Sequence, residues 1–136
     1  MARTRILLAD DNRALLAELC LELQEDFEIV GTVANGQDAV DGVCRLDPDV
    51  VVLDINIPIL NGIQASLRIH ESHPRSKVLF LTIHEEDEYI SAAFSAGACG
   101  YVSKRRLATD LARAIREVIR GNVFVSPSLR RAASAQ

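Results

Sequence analysis

Nowhere in its 136 residues does the chain carry an uninterrupted apolar run of about 18 residues, the length a membrane-crossing helix needs. The opening apolar stretch ends at Ala9 and is too short for a signal-peptide core followed by its cleavage site. A basic excess is also missing. Lys and Arg number 15 against 19 Asp and Glu, for a net charge of −4, which argues against a dedicated nucleic-acid binder. Cysteine is scarce and odd in number. Cys20, Cys44 and Cys99 stand far apart, which suits thiols kept reduced in a cytosol better than a disulfide framework or a zinc site. What is present is ordinary globular usage, 49% apolar and 25% charged. A chain of this length buries roughly two-thirds of its unfolded surface, enough for a single-domain core.

Hydrophobic period divides the chain into alternating elements. Residues 4–9 (TRILLA) predict a strand, and 13–25 a helix with Leu15, Leu16, Leu19 and Leu23 on one face. A β-branched strand over 27–34 closes at Asn35-Gly36, and a helix over 37–46 stops before Pro48. The run DVVVLD (49–54) has the length and branching of a strand buried on both faces. A helix over 63–72 ends before Pro74, a strand follows over 77–82, and an acid-led helix over 86–96 stops at Gly97. GYVS (100–103) is the fifth strand, and 107–121 the last helix. Strands alternating with helices of this size form a parallel sheet covered on both faces. The expected fold is an α/β, doubly wound, five-stranded parallel sheet in the order 2-1-3-4-5, with its ligand site beyond the strands' carboxyl ends, where strands 1 and 3 meet.

The polar residues fall at that edge. Strand 1 runs into Asp10 and Asp11, strand 3 into Asp54, strand 4 into Thr82, and strand 5 is followed by Lys104. One of Asp10, Asp11 and Asn12 can cap the first helix, but capping uses one residue and leaves an acid unexplained. Of three acids at one place at least one would be protonated unless a cation intervenes. Hard oxygen donors suit Mg²⁺, which takes one or two carboxylates together with waters and phosphate oxygens. DDNRALL after strand 1 is acidic and bulky where a nucleotide or flavin site would carry a glycine-rich cradle. An acidic site meets a phosphoryl group only through a metal, which suggests phosphoryl chemistry with Mg²⁺ as bridge and a carboxylate as attacking group.

The segments LLADDN, PDVVVLDINIPILNG, VLFLT and AGACGYVSK together resemble the receiver domain of two-component response regulators, over about residues 4 to 120, and the wording is similar to the NarL/FixJ branch with LuxR-type output. The resemblance implies a flavodoxin-like fold and a phosphorylation-activated switch that is not itself an enzyme. Asp54 would be the phosphoacceptor for a sensor histidine kinase. Asp11, Asp54 and the backbone carbonyl of Asn56 would ligate Mg²⁺, and Asp10 would act indirectly. Lys104 would neutralise a phosphoryl oxygen. Thr82 and Tyr101 would be the switch pair. The surface of the fourth helix, fifth strand and fifth helix, or that of the first and fifth helices, would serve a homodimer. Arg105 stands where many receivers have proline, so no cis peptide is expected there. Ile83 is bulkier than the residue common at its place and would narrow access for small donors. His84 sits where the family tunes dephosphorylation, or is a loop histidine beside Glu85 and Glu86. His70 and His73 are expected at the surface.

Residues 1–120 are thus read as the receiver and 121–136 as a linker or tail. The stretch RGNVFVSPSL resembles the segment that leads to a helix-turn-helix domain, and Arg130 and Arg131 are too few for duplex affinity. The expectation is the regulatory part of a longer, cytoplasmic transcription factor, touching DNA only through an output domain outside this sequence. Two alternatives remain: a phosphate-independent pseudo-receiver that acts as an interaction module, and a haloacid-dehalogenase-type aspartyl phosphatase. The second lacks a cap domain and has Asn56 where that class has a second Asp.

Overall fold

The computed structural model describes residues 3–129. Strands and helices alternate as β1 (Arg5–Ala9), α1 (Arg13–Leu23), β2 (Glu28–Val33), α2 (Gly36–Leu46), β3 (Val50–Leu53), α3 (Gly62–Ser72), β4 (Lys77–Thr82), α4 (Asp87–Ser95), β5 (Gly100–Ser103), α5 (Leu107–Ile119) and β6 (Phe124–Val125). Three helices begin at an asparagine whose side chain accepts an otherwise orphaned amide: Asn12 from Leu15, Asn35 from Asp38 and Asn61 from Gln64. Gln64 returns the bond to Asn61, so α3 starts in a capping box.

All strand pairs are parallel, in the order β2-β1-β3-β4-β5-β6. The inner strands are buried on both faces, which is why they read as continuous apolar runs. Side chains alternate between two cores. Leu7, Val51, Leu53, Phe80 and Tyr101 meet α2, α3 and α4, while Ile6, Leu8, Val52, Leu81 and Val102 meet α1 and α5.

The sheet has one strand more than expected. Residues 124 and 125 pair with Gly100 and Tyr101 of β5, and Phe124 and Val125 are buried. Two residues among turn and linker signals are too short for a period to show, so the segment read as the start of a linker is the sheet's edge. Phe124 also lies under the Arg113 guanidinium of α5, 5.4 Å from its ring centre. The later tail residues Arg130 and Arg131 lie outside the described residues.

One close approach decides how β3 ends. A Cβ on Gly62 would fall 2.1 Å from the Asp54 carbonyl oxygen, and the Gly62 amide donates to the Ile55 carbonyl at 2.8 Å. The start of α3 therefore rests directly on the backbone of the candidate acceptor. Gly62→Ala is expected to destabilise the fold by about 2–4 kcal/mol through backbone displacement, measured by urea unfolding.

Candidate functional site

β1 and β3 are paired in register, Ala9 beside Leu53, and the Asp54 amide donates to the Ala9 carbonyl at 3.1 Å. The residues that follow, Asp10 and Asp54, are therefore neighbours at the sheet's carboxyl edge. Both are buried, at 4% and 7% exposure. Lys104, on a 3₁₀ turn after β5 (Lys104–Arg106), places its Nζ 2.8 Å from Asp10 Oδ2 and 3.0 Å from Asp54 Oδ2. The remaining oxygens are also engaged. Asp10 Oδ1 accepts from the Asn12 amide at 2.8 Å, and Asp54 Oδ1 from the Ile55 amide at 2.7 Å. Burial by itself would lower the Lys104 pKa, but its hydrogen bonds to Asp10 and Asp54 prevail and raise it above the ordinary lysine value.

Because Asn12 caps α1, neither acid is needed for that role. Asp11 is exposed beside Asp10. Among the described residues no three His, Cys, Asp or Glu side chains gather into a ready-made metal cage. The donors at the edge are all hard oxygens, two of them buried carboxylates. That set fits Mg²⁺, which completes its shell with water and carbonyl oxygens, and does not fit a soft thiophilic ion.

The other expected residues surround this centre at the end of β4. Thr82 is fully buried, and its hydroxyl accepts from the His84 amide at 3.3 Å. Tyr101 is also fully buried, with its hydroxyl donating to the His84 carbonyl at 2.8 Å. Burial, then the charges of Glu86 and Asp54, push its phenol well above the ordinary value, so it remains a donor. Asn56 is exposed and its amide meets His84 Nε2 at 2.6 Å. The His84 ring stacks on Tyr89 at 4.0 Å and turns Nδ1 toward Glu86 at 3.4 Å. His84 is thus a junction of the two loops beside Asp54. Its place after Thr82 was visible in the sequence, whereas its bond to Asn56 was not. Ile83 is exposed, as is His70, and His73 is half-buried. No cis peptide occurs among the described residues, the Lys104–Arg105 bond included. No helix among them is long and apolar enough to cross a membrane.

A doubly wound parallel sheet with a lysine-bridged acid pair at its carboxyl edge defines a domain suited to a divalent cation and a phosphoryl group. Residues 6–116 match the response regulator receiver domain, and the chain belongs to that family. It is 36% identical over 127 residues to the uncharacterized transcriptional regulatory protein YvfU of Bacillus subtilis (strain 168), covering 92% of this chain and 64% of that protein. It is 34% identical over 128 residues to the oxygen regulatory protein NreC of Staphylococcus carnosus (strain TM300), covering 92% and 59%. The crystal structure of a LuxR-family two-component response regulator from Aurantimonas sp. SI85-9A1 superposes with a TM-score of 0.92 at 26% identity, covering 98% of this chain and 97% of that one. The chain spans about six-tenths of the length of the curated relatives it matches.

Lys104→Met leaves two neighbouring carboxylates without their cation. It is expected to cost about 2 kcal/mol at neutral pH, below the figure for a fully buried pair because the ammonium keeps some solvent. A raised folded-state pKa means that this stabilisation is complete below the unfolded lysine value of 10.5 and disappears as pH climbs through the folded one. The wild-type minus Lys104→Met difference in urea unfolding should therefore be flat from neutral pH to that value and shrink above it.

Proposed function

We propose that this domain is a phosphorylation-activated switch in which Asp54 accepts a phosphoryl group from the phosphohistidine of a sensor kinase. The observation that carries the reading is the Lys104 ammonium held on the oxygens of both buried acids. An Asp54 carboxylate oxygen attacks phosphorus, the P–N bond breaks, and the imidazole leaves with the electron pair and takes a proton. Negative charge builds on the phosphoryl oxygens, and Lys104 is placed to meet it. Asp54, Asp11 and the Asn56 carbonyl would hold Mg²⁺, with Asp10 in support, and the ion would supply charge neutralisation between acceptor and phosphoryl oxygens. Asp54 is itself the acceptor, so the domain is modified and restored rather than turning over a substrate.

Signalling follows from the groups around Asp54. Thr82 ends β4, the strand paired with β3, and a shift of its hydroxyl toward a phosphoryl oxygen would release the His84 amide it now holds. Tyr101 would respond through the His84 carbonyl. The receptive surface is α4, β5 and α5, or α1 with α5, presented to a second copy. The output is a helix-turn-helix domain that contacts DNA, in line with the regulatory names of the relatives and their greater length. This reading places the protein in the cytoplasm with its kinase.

Incubation with a phosphorylated sensor kinase domain, or with acetyl phosphate, and Mg²⁺ should add one phosphoryl group to the wild-type chain, read by intact-protein mass spectrometry. Chelation of Mg²⁺ and Asp54→Asn should each abolish the adduct. An adduct that persists in Asp54→Asn, or none in the wild type from either donor, contradicts the proposal. The latter result favours a phosphate-independent interaction module.

A further inference from the structure

The tail strand is tied to the site by more than apolar packing. Ser126, immediately after β6, is fully buried. Its hydroxyl donates to Asp110 Oδ2 at 2.9 Å and accepts from the Ser103 amide at 3.2 Å, while its own amide donates to the Tyr101 carbonyl at 3.0 Å. Asp110, on α5, is 2% exposed, and its other oxygen accepts from Thr109 Oγ1 at 3.1 Å. Arg106 Nε lies 3.7 Å from Asp110 Oδ2. Ser103 continues the array. Its hydroxyl accepts from the Arg105 amide at 3.2 Å and donates to Glu85 Oε2 at 2.5 Å, and Glu85 also faces Arg105 at 3.6 Å.

Lys104 sits between the two anchored amides, those of Ser103 and Arg105. The phosphoacceptor reading gives no role to Asp110, yet a buried carboxylate is costly unless every oxygen is satisfied, and here both are. The array ends on the tail at one side and on the β4–α4 loop at the other, the loop that begins after Thr82. Val125 and Leu129 of the tail pack in the same cluster as Tyr101. In this structure Lys104 reaches Asp54 while the tail strand is docked on β5.

We propose that Ser126 and Asp110 are positioning residues for Lys104, so that docking of the tail strand and occupancy of the phosphoryl site reinforce one another. The proposal rests on the reading of Asp54 as acceptor. Coupling of this kind is reciprocal: whatever the docked tail adds to phosphoryl binding, a bound phosphoryl group adds to tail docking. The segment that leads toward the chain's end is then a working part of the site.

The test uses the full 136-residue chain with Mg²⁺ and beryllofluoride as the phosphoryl mimic. Ser126→Ala should weaken beryllofluoride binding by about fivefold, the lower end of ordinary coupling, and Ser126→Thr, which keeps the hydroxyl, should stay within about twofold of wild type. In the wild type, saturating beryllofluoride should slow hydrogen exchange at the Phe124 and Ser126 amides, which bond to Cys99 and Tyr101. Wild-type affinity in Ser126→Ala, a Ser126→Thr chain as weak as Ser126→Ala, or exchange at β6 indifferent to the mimic would each overturn it. Should Ser126→Ala fail to fold, the wild-type exchange comparison decides alone. A wild type that binds no beryllofluoride overturns the acceptor reading itself, and this inference with it, whereas binding that Asp54→Asn abolishes leaves that reading standing whatever Ser126 does.

Discussion

The arrangement depends on one ammonium held by two buried carboxylates. Asp10 and Asp54 are brought side by side by the β1–β3 pairing, and two like charges at that spacing are unfavourable unless a cation lies between them. Lys104 is that cation, and it arrives from β5, two strands away from β3 in the sheet. In the proposed phosphoacceptor role, the same charge that makes the acid pair tolerable in the resting fold would also meet a phosphoryl oxygen. Stability and the proposed chemistry would then draw on a single contact, which any movement of the 3₁₀ turn that carries Lys104 would disturb.

The rest of the fold can be understood as holding those three side chains in place. Parallel strands buried on both faces fix the register, and the register fixes which residues end side by side. Each acid holds a nearby amide with one oxygen, Asp10 that of Asn12 and Asp54 that of Ile55, and turns the other oxygen to Lys104. Gly62 lets α3 lie against the backbone that bears Asp54. Around this rigid centre, the loops after β3 and β4 are joined through Asn56 and His84, and β4's loop is joined to β5 through Tyr101 and Ser103. The turn that carries Lys104 is linked by hydrogen bonds through Ser103 to Glu85 of the β4–α4 loop and to Ser126 of the tail.

Much of this was legible before any coordinates. Short apolar or β-branched runs mark the strands and the 3.6-residue period the helices, four of which stop at Gly or shortly before Pro; ten of the elements were placed in this way, with β4 and β5 at their full extent. Topology alone placed Asp10, Asp11, Asp54, Thr82 and Lys104 at one edge, and of these the structure brings Asp10, Asp54 and Lys104 into contact. What the sequence hid is tertiary in origin. β6 has two residues and shows no period. Asp110 looks like any first-turn acid of a helix and Ser126 like any turn serine before Pro127, and only their burial against Ser103 gives them a role. Which acid of the Asp10-Asp11 pair meets Lys104 was likewise undecided, since both follow the same strand. The backbone turns Asp10 inward and leaves Asp11 exposed.

The most direct measurement of the central contact is a pH titration of the Lys104 side-chain ammonium by heteronuclear NMR, in the wild type and in Asp10→Asn and Asp54→Asn chains. The account predicts a wild-type midpoint above the ordinary lysine value that falls toward it in each variant. A Lys104 that titrates as a free surface lysine, and is indifferent to both substitutions, would contradict it.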